Sequence, residues 1–239
     1  MNAAPPSYYA WTWSPVGVVT EYLKPALVVR EGVEVELPSL SDRNLRVIQG
    51  VTYEEALTSG GAADLTTTLA GRIDHLDYMT LRWPGHYDYV ERLLTEIPPG
   101  LGRERRLQER MEREVPRVDE DLVILYVAVE GTDRKGLSRR LEHSVHIRPV
   151  EVGGVLLRAI QASTAASLAE VTLLIADGRF AGPVLQSQLP AGEFLNGPIV
   201  TSVYGRFPFD FRARPLHRTN ALPLLFLQPS LTRGDCHES

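Results

Sequence analysis

Cysteine is almost missing from this chain: of 239 residues only Cys236 carries a thiol, close to the C-terminus. That excludes an internal disulfide framework and a zinc site built on several thiolates, and it makes a reducing cytoplasm the expected location. No hydrophobic run reads as a membrane span; the longest, Leu168 to Ala176, is interrupted by Glu170 and Thr172. A basic surplus is absent too. Lys and Arg number 25 against 30 Asp and Glu, a net charge of -5, which argues against a nucleic-acid surface. The opening M-N-A-A-P-P-S-Y-Y lacks the basic and apolar regions of a signal peptide. There is no G-x-S-x-G elbow, no H-E-x-x-H pair and no G-x-G-x-x-G after a strand. A triad hydrolase, a zinc protease and a dinucleotide-binding unit are therefore unsupported.

What is there is ordinary globular composition, 44% hydrophobic and 23% charged, long enough for one sizeable core. Ser14 and Pro15 announce a short helix over Val16 to Tyr22. Val28 to Arg30 and Val33 to Leu37 flank Glu31-Gly32 as a hairpin, and Arg46 to Tyr53 reads as another strand. Thr52 to Gly61 reads as a short acidic helix ending at Gly60-Gly61, and Leu65 to Ala70 as a helical turn. Tyr87 to Leu94 is helical until Pro98-Pro99-Gly100 stops it; Arg103 to Glu114 is a charged helix with a solvated face of Arg/Glu pairs. Asp121 to Gly131 reads as the best buried strand, pairing with Leu141 to Pro149 across a polar turn. Gly154 to Asp177 is the longest helix candidate, with Ala159, Ala162, Ser163, Ala165 and Ala166 permitting close packing. This order predicts an α+β fold: a mixed, largely antiparallel sheet covered by helices. Residues 1–205 form the expected domain and 206–239 an appended tail carrying Phe207, Phe209 and Phe211.

The stretch Leu76 to His86, L-D-Y-M-T-L-R-W-P-G-H, reads as a strand leaving through a Pro84-Gly85 turn with Arg82 and His86 at its exit. A guanidinium fork suits a carboxylate, and an imidazole changes charge near neutral pH. Arg82 and His86 are therefore the candidate catalytic pair, an oxyanion clamp with an acid/base partner. Trp13, Trp83 and Met79 are expected to shape the pocket. Glu54, Glu55 and Asp88 are weighed as bases against the reading that they are surface charges. His143 and His146, three apart in a strand, fall on opposite faces and make a poor metal pair.

Three segments, in order, resemble the saccharopine dehydrogenase-like superfamily. The first is Thr12-Trp13-Ser14-Pro15-Val16-Gly17 with Glu21 to Ala26 (E-Y-L-K-P-A) behind it. The second is Thr68-Leu69 and Gly71 leading to Tyr78-Met79-Thr80-Leu81-Arg82-Trp83-Pro84-Gly85-His86. The third runs from Ala159 to Ala165, through Gly182 to Gln188, to Tyr204-Gly205. The resemblance implies a substrate domain on a mixed sheet, often a dimer surface, with Arg82 near a substrate carboxylate; Ser14, Tyr53 and Thr164 complete the candidate substrate contacts. It departs from the family pattern at Met79, Ala162 and Ser187, where a Lys, an Arg and a Glu are usual. Three lost charges in one cleft would suit a larger, less charged ligand.

Family members carry a Rossmann domain for NAD(P), and nothing in these 239 residues reads as one. The expectation is a cofactor-free enzyme repurposed from a dehydrogenase substrate domain, doing non-redox chemistry such as cyclisation or isomerisation in specialised biosynthesis. It would be a homodimer binding a small molecule, with no nucleic acid and no membrane. One alternative is the substrate half of a split oxidoreductase acting on an amino acid or imine, a separate Rossmann-domain chain supplying the nicotinamide. Another is a non-catalytic binding or dimerisation module.

Overall fold

Ser14 and Pro15 open the first helix as their chemistry requires. The Ser14 hydroxyl accepts from Gly17 N at 3.3 Å, and Pro15 occupies a position whose N–H needs no partner. The computed structural model describes residues 5–133, 135–178, 180 and 182–207. In chain order its elements are α1 (Pro15–Leu23), β1 (Ala26–Arg30), β2 (Val33–Leu37), β3 (Asn44–Ile48), β4 (Val51–Leu57), α2 (Leu65–Leu69), β5 (His75–Leu76), β6 (Met79–Arg82), α3 (His86–Glu96), α4 (Arg103–Glu114), β7 (Val123–Thr132), β8 (Ser138–Ile147), β9 (Val150–Val152), β10 (Val155–Leu157), α5 (Ala159–Ala176), a 3₁₀ turn at Gln186–Gln188, α6 (Ala191–Asn196) and α7 (Pro198–Tyr204).

The fold is α+β. Its strands are divided among four small sheets rather than gathered into one: β2-β1-β5, β3-β4-β6, β7-β8 and β9-β10, each with antiparallel pairing. The hairpins β1-β2 and β3-β4 both turn on two residues at positive φ, Glu31-Gly32 and Gln49-Gly50, the geometry that matches strand twist. The main core joins α1, α3 and α4. Val18, Val19, Tyr22, Tyr87, Val90, Leu93, Leu107 and Met111 are all buried in it, beside Trp11. Leu107 and Met111 are one helical turn apart, so α4 buries that single stripe. Its other faces carry Arg/Glu pairs such as Arg105–Glu109 at 2.8 Å, as the sequence suggested.

Five elements differ from the sequence reading. The single strand expected over Arg46 to Tyr53 is instead a hairpin, β3 ending at Ile48 and β4 beginning at Val51, because Gln49 and Gly50 take positive φ and reverse the chain. The acidic helix expected within Thr52 to Gly61 is the strand β4, because Glu54 and Glu55 find distant partners that hold them in extended backbone. The strand Asp121 to Gly131 begins at Val123 and is not buried: Leu125, Val127 and Val129 are 40%, 59% and 51% exposed, since among the described residues β7 pairs with β8 alone. The long helix starts at Ala159 rather than Gly154; Val150 to Leu157 fold instead into the β9-β10 hairpin around Gly153-Gly154. His86 is the first residue of α3 rather than a strand-end residue.

α5 buries Ala159, Ala162, Ser163, Ala166, Glu170 and Leu174. It is 18 residues long with mean hydropathy 1.4, so by length and composition it is long and apolar enough to cross a membrane, contrary to the sequence reading. In this fold a third of it is covered. Its central Glu170 carboxylate, 3% exposed, accepts the Ile199 and Val200 N–H groups at 2.8 and 3.1 Å, which ties α5 to the start of α7. Of the 206–239 tail, Arg206 and Phe207 alone are described; Phe207 stacks near His143 with ring centroids 5.2 Å apart, while Phe209 and Phe211 lie outside the described residues.

Candidate functional site

Arg82 is placed by three local constraints. β6 runs antiparallel to β4, with Arg82 opposite Glu54. The chain then reverses through Pro84-Gly85, where Gly85 adopts φ 102° and a Cβ would lie 2.7 Å from the Tyr8 ring. A side chain there would meet both backbone strain and a steric clash, so the turn needs glycine. The buried Glu54 carboxylate accepts the Gly85 and Tyr87 N–H groups at 3.1 and 2.6 Å. It satisfies donors that the start of α3 leaves open and complements the helix dipole.

Behind Arg82 runs a buried relay. The His86 ring is 0% exposed, and its Nδ1 lies 2.6 Å from the Ser7 carbonyl, which can only accept. Nδ1 therefore carries the proton, and Nε2 accepts from the Tyr22 hydroxyl at 2.8 Å. That hydroxyl in turn accepts from Arg82 Nε at 3.1 Å. Burial and the nearby guanidinium push the His86 pKa down to about 3, against the opposing pull of the Ser7 carbonyl. The ring is thus neutral and out of reach of a ligand. The guanidinium itself lies 5.0 Å from the Tyr9 ring centroid and 5.9 Å from that of Tyr22, and Nη1 donates to the Leu81 carbonyl at 3.1 Å. Among the described residues, Nε and one Nη1 donor are hydrogen-bonded, and Nη2 faces Glu21 without a hydrogen bond.

Arg82 borders a broad cleft of about 1590 Å³ between the β4-β6 side and the β7-α5 side. It exceeds the roughly 300–1000 Å³ of most small-molecule pockets, so it is a groove with room for a sizeable ligand. Aromatic rings wall it: Tyr53 and Trp83 stand 5.0 Å apart, and Tyr9 and Trp13 face them along the N-terminal segment. Its charges are mostly paired within the protein. Arg46 holds Glu55 through a two-pronged bond of 3.0 and 2.6 Å, Arg30 holds Asp77 at 2.6 Å, and Asp121 accepts the Ala159 and Ile160 N–H groups at 2.6 and 3.0 Å. The carboxylate next to Arg82 is Glu21, with Oε2 4.0 Å from Nη2. Burial raises its pKa, and Arg82 only partly offsets that.

The cleft brings together six of the residues singled out from sequence: Arg82, Trp13, Met79, Trp83, Tyr53 and Thr164. Two do not join it. Ser14 spends its hydroxyl on the α1 cap, and His86 is sealed beneath Tyr22 with both ring nitrogens bonded inside the fold. The three departures from the family pattern also separate: Met79 lines the cleft, Ala162 is buried in α5, and Ser187 bonds Asp64 through its hydroxyl. Asp88 pairs with Arg43 at 2.7 Å on the surface. Sequence reasoning missed Tyr9, Tyr22 and Glu21 as partners of Arg82. Their contacts span 60 residues or more and leave no local signal, although Glu21 and Tyr22 lie in the quoted E-Y-L-K-P-A.

Residues 1–188 match the family described as Saccharopine dehydrogenase C-terminal domain. Among solved structures, the chain is similar to apo histidine-tagged saccharopine dehydrogenase (L-Glu forming) from Saccharomyces cerevisiae, with TM-score 0.55 and 15% identity. The similarity covers 83% of this chain and 60% of that one. At that identity the likeness speaks for the fold, and the chain spans about three fifths of the yeast enzyme's length.

Proposed function

Because the chain belongs to the saccharopine dehydrogenase C-terminal domain family, we propose that its cleft binds a small molecule with an oxyanion or carbonyl on an apolar body, and rearranges it without redox. Ring closure or isomerisation in specialised biosynthesis fits that description. The observation that carries the reading is the Arg82 guanidinium, aimed by Tyr22, walled by Tyr9 and bordering the cleft. Such a group stabilises negative charge developing on a ligand oxygen, and the aromatic walls hold an apolar body in one conformer. A nicotinamide dinucleotide would need a parallel βαβ unit with a Gly-rich turn. The described strands pair antiparallel, so these residues supply no such cradle.

The test is a carboxylate probe with an apolar body, phenylpyruvate, followed by Trp fluorescence and calorimetry. Arg82→Gln is expected to weaken binding roughly ten- to hundredfold, the worth of a charge-assisted hydrogen bond. Equal affinity in a folded variant would refute the assignment. A native mass spectrum would show whether a small molecule co-purifies.

A second reading is the substrate-binding part of an oxidoreductase acting on an amino acid or imine, its nicotinamide site on a separate Rossmann-domain chain. Consumption of NADPH by the mixed chains, and by neither alone, would establish it. A homodimer is supported by the apolar side chains exposed on α5 and β10, among them Leu168 and Leu156 at 69% and 63%. Sedimentation at micromolar concentration tests this; a monomer there would remove the proposal.

A further inference from the structure

Resting on the reading of Arg82 as an oxyanion receptor, we propose that Glu21 is the proton-transfer group of the cleft: an oxyanion seated on Arg82 removes Glu21's counter-charge, and the carboxylate takes up a proton that it can pass to the ligand. Glu21 sits in the last turn of α1, its side chain 24% exposed, where the helix dipole already disfavours an anion. Its Oε2 stands 4.0 Å from Arg82 Nη2, near enough to be balanced by the guanidinium and too far for a committed hydrogen bond. Glu55, Asp77, Glu120 and Asp121 also line the cleft; Glu55, Asp77 and Asp121 are held by partners a ligand does not displace, and Glu120 is solvent-exposed. Glu21 is held by the ligand's own receptor. When a second anion takes Arg82, two negative charges share a half-buried site, and the cheaper state has Glu21 protonated.

The proton balance closes without an outside redox partner. On binding, a proton moves from solvent to the Glu21 carboxylate. In the complex the Glu21 O–H bond breaks as a ligand atom gains the proton, its electron pair staying on the carboxylate. That carboxylate accepts the proton released at a second ligand atom as the isomerisation completes, while Arg82 holds the oxyanion already seated on it.

Among the groups around Arg82, Glu21 is the carboxylate, and burial raises its pKa while Arg82 partly offsets that. The charged and titratable groups facing it are Arg82 from β6, Tyr9 from the N-terminal segment, Tyr22 from α1 itself and Tyr87 from α3. Burial holds all three phenols above their ordinary range, and the guanidinium does not deprotonate. His86, behind Tyr22, stays neutral down to about pH 3.

The experiment is calorimetry of phenylpyruvate binding at pH 6.5 in PIPES and in imidazole, whose different ionisation heats report protons taken up. The wild type is expected to take up protons on binding, and its affinity to fall toward tenfold per pH unit as pH rises above the Glu21 pKa in the complex. Glu21→Gln should bind while taking up none. Binding without proton uptake, uptake persisting in Glu21→Gln, or a flat wild-type affinity from pH 5 to 8 would each overturn Glu21's role while leaving Arg82 as receptor. No wild-type binding at all would overturn the receptor reading and this one with it. The wild-type pH slope stands even if the variant does not fold.

Discussion

Acid should weaken this fold through one ring. His86 is 0% exposed and donates from Nδ1 to Ser7 while accepting at Nε2 from Tyr22, so the folded protein holds it neutral with its pKa down at about 3. In the unfolded chain it titrates near 6.5. The folded value is depressed, so below pH 6.5 the unfolded state binds the extra proton. Stability is complete above that pH and declines as pH falls from about 6.5 toward 3. The whole gap corresponds to about 5 kcal/mol, and moving from pH 7.5 to 5 costs about 2 kcal/mol. Urea unfolding followed by Trp fluorescence at half-unit pH intervals measures this. The control is His86→Gln, whose amide can donate to Ser7 and accept from Tyr22 but cannot titrate. Glu21, whose folded pKa is raised, contributes with the opposite sign, but it does so in both proteins and cancels in the difference. The wild type should lose about 2 kcal/mol more than the variant between pH 7.5 and 5. Parallel curves would mean that His86 charges inside the fold, and the buried relay would be wrong.

Other expectations follow from single contacts. Glu54→Ala strips the Gly85 and Tyr87 N–H groups of their acceptor and should cost about 3 kcal/mol in urea unfolding; a loss within experimental error would show that water replaces it. Gly85→Ala places a Cβ 2.7 Å from the Tyr8 ring at φ 102° and should cost about 1–3 kcal/mol, with a parallel loss of probe binding at Arg82. An unchanged melting temperature would contradict the turn geometry. Gly197→Ala drives a Cβ into the Glu170 carboxyl group. Amide exchange at Ile199 and Val200 should accelerate at least tenfold, while exchange in α3 stays as it was. Equal protection throughout would mean that α7 does not depend on Glu170.

How much was legible depended on how far each signal reaches. Ser14-Pro15, Glu31-Gly32 and Pro98-Pro99-Gly100 act through their own backbone within a few residues, and the elements they mark stand where expected. The α4 pattern was equally readable, because a stripe of Leu107 and Met111 among charges means one buried face. Glu54-Glu55 misled because a pair of glutamates favours helix locally. Their destinations, the α3 N-terminus and Arg46 across the hairpin, outweigh that preference. β7 misled in the other direction: an apolar run promises burial only if a second layer covers it.

By its own residues the sequence determined the α+β class, the family, and Arg82 at a strand exit beside a Pro-Gly turn. Those properties rest on local chemistry and on residue order, which are present before the chain folds. Tertiary structure alone decided which neighbours Arg82 keeps. Tyr22 and Glu21 reach it across some 60 residues and Ser7 reaches His86 across 79, and that enclosure excludes water from one titratable group while leaving the other at the cleft. Charge state follows from burial and partners, and both exist only once distant segments have closed around the site.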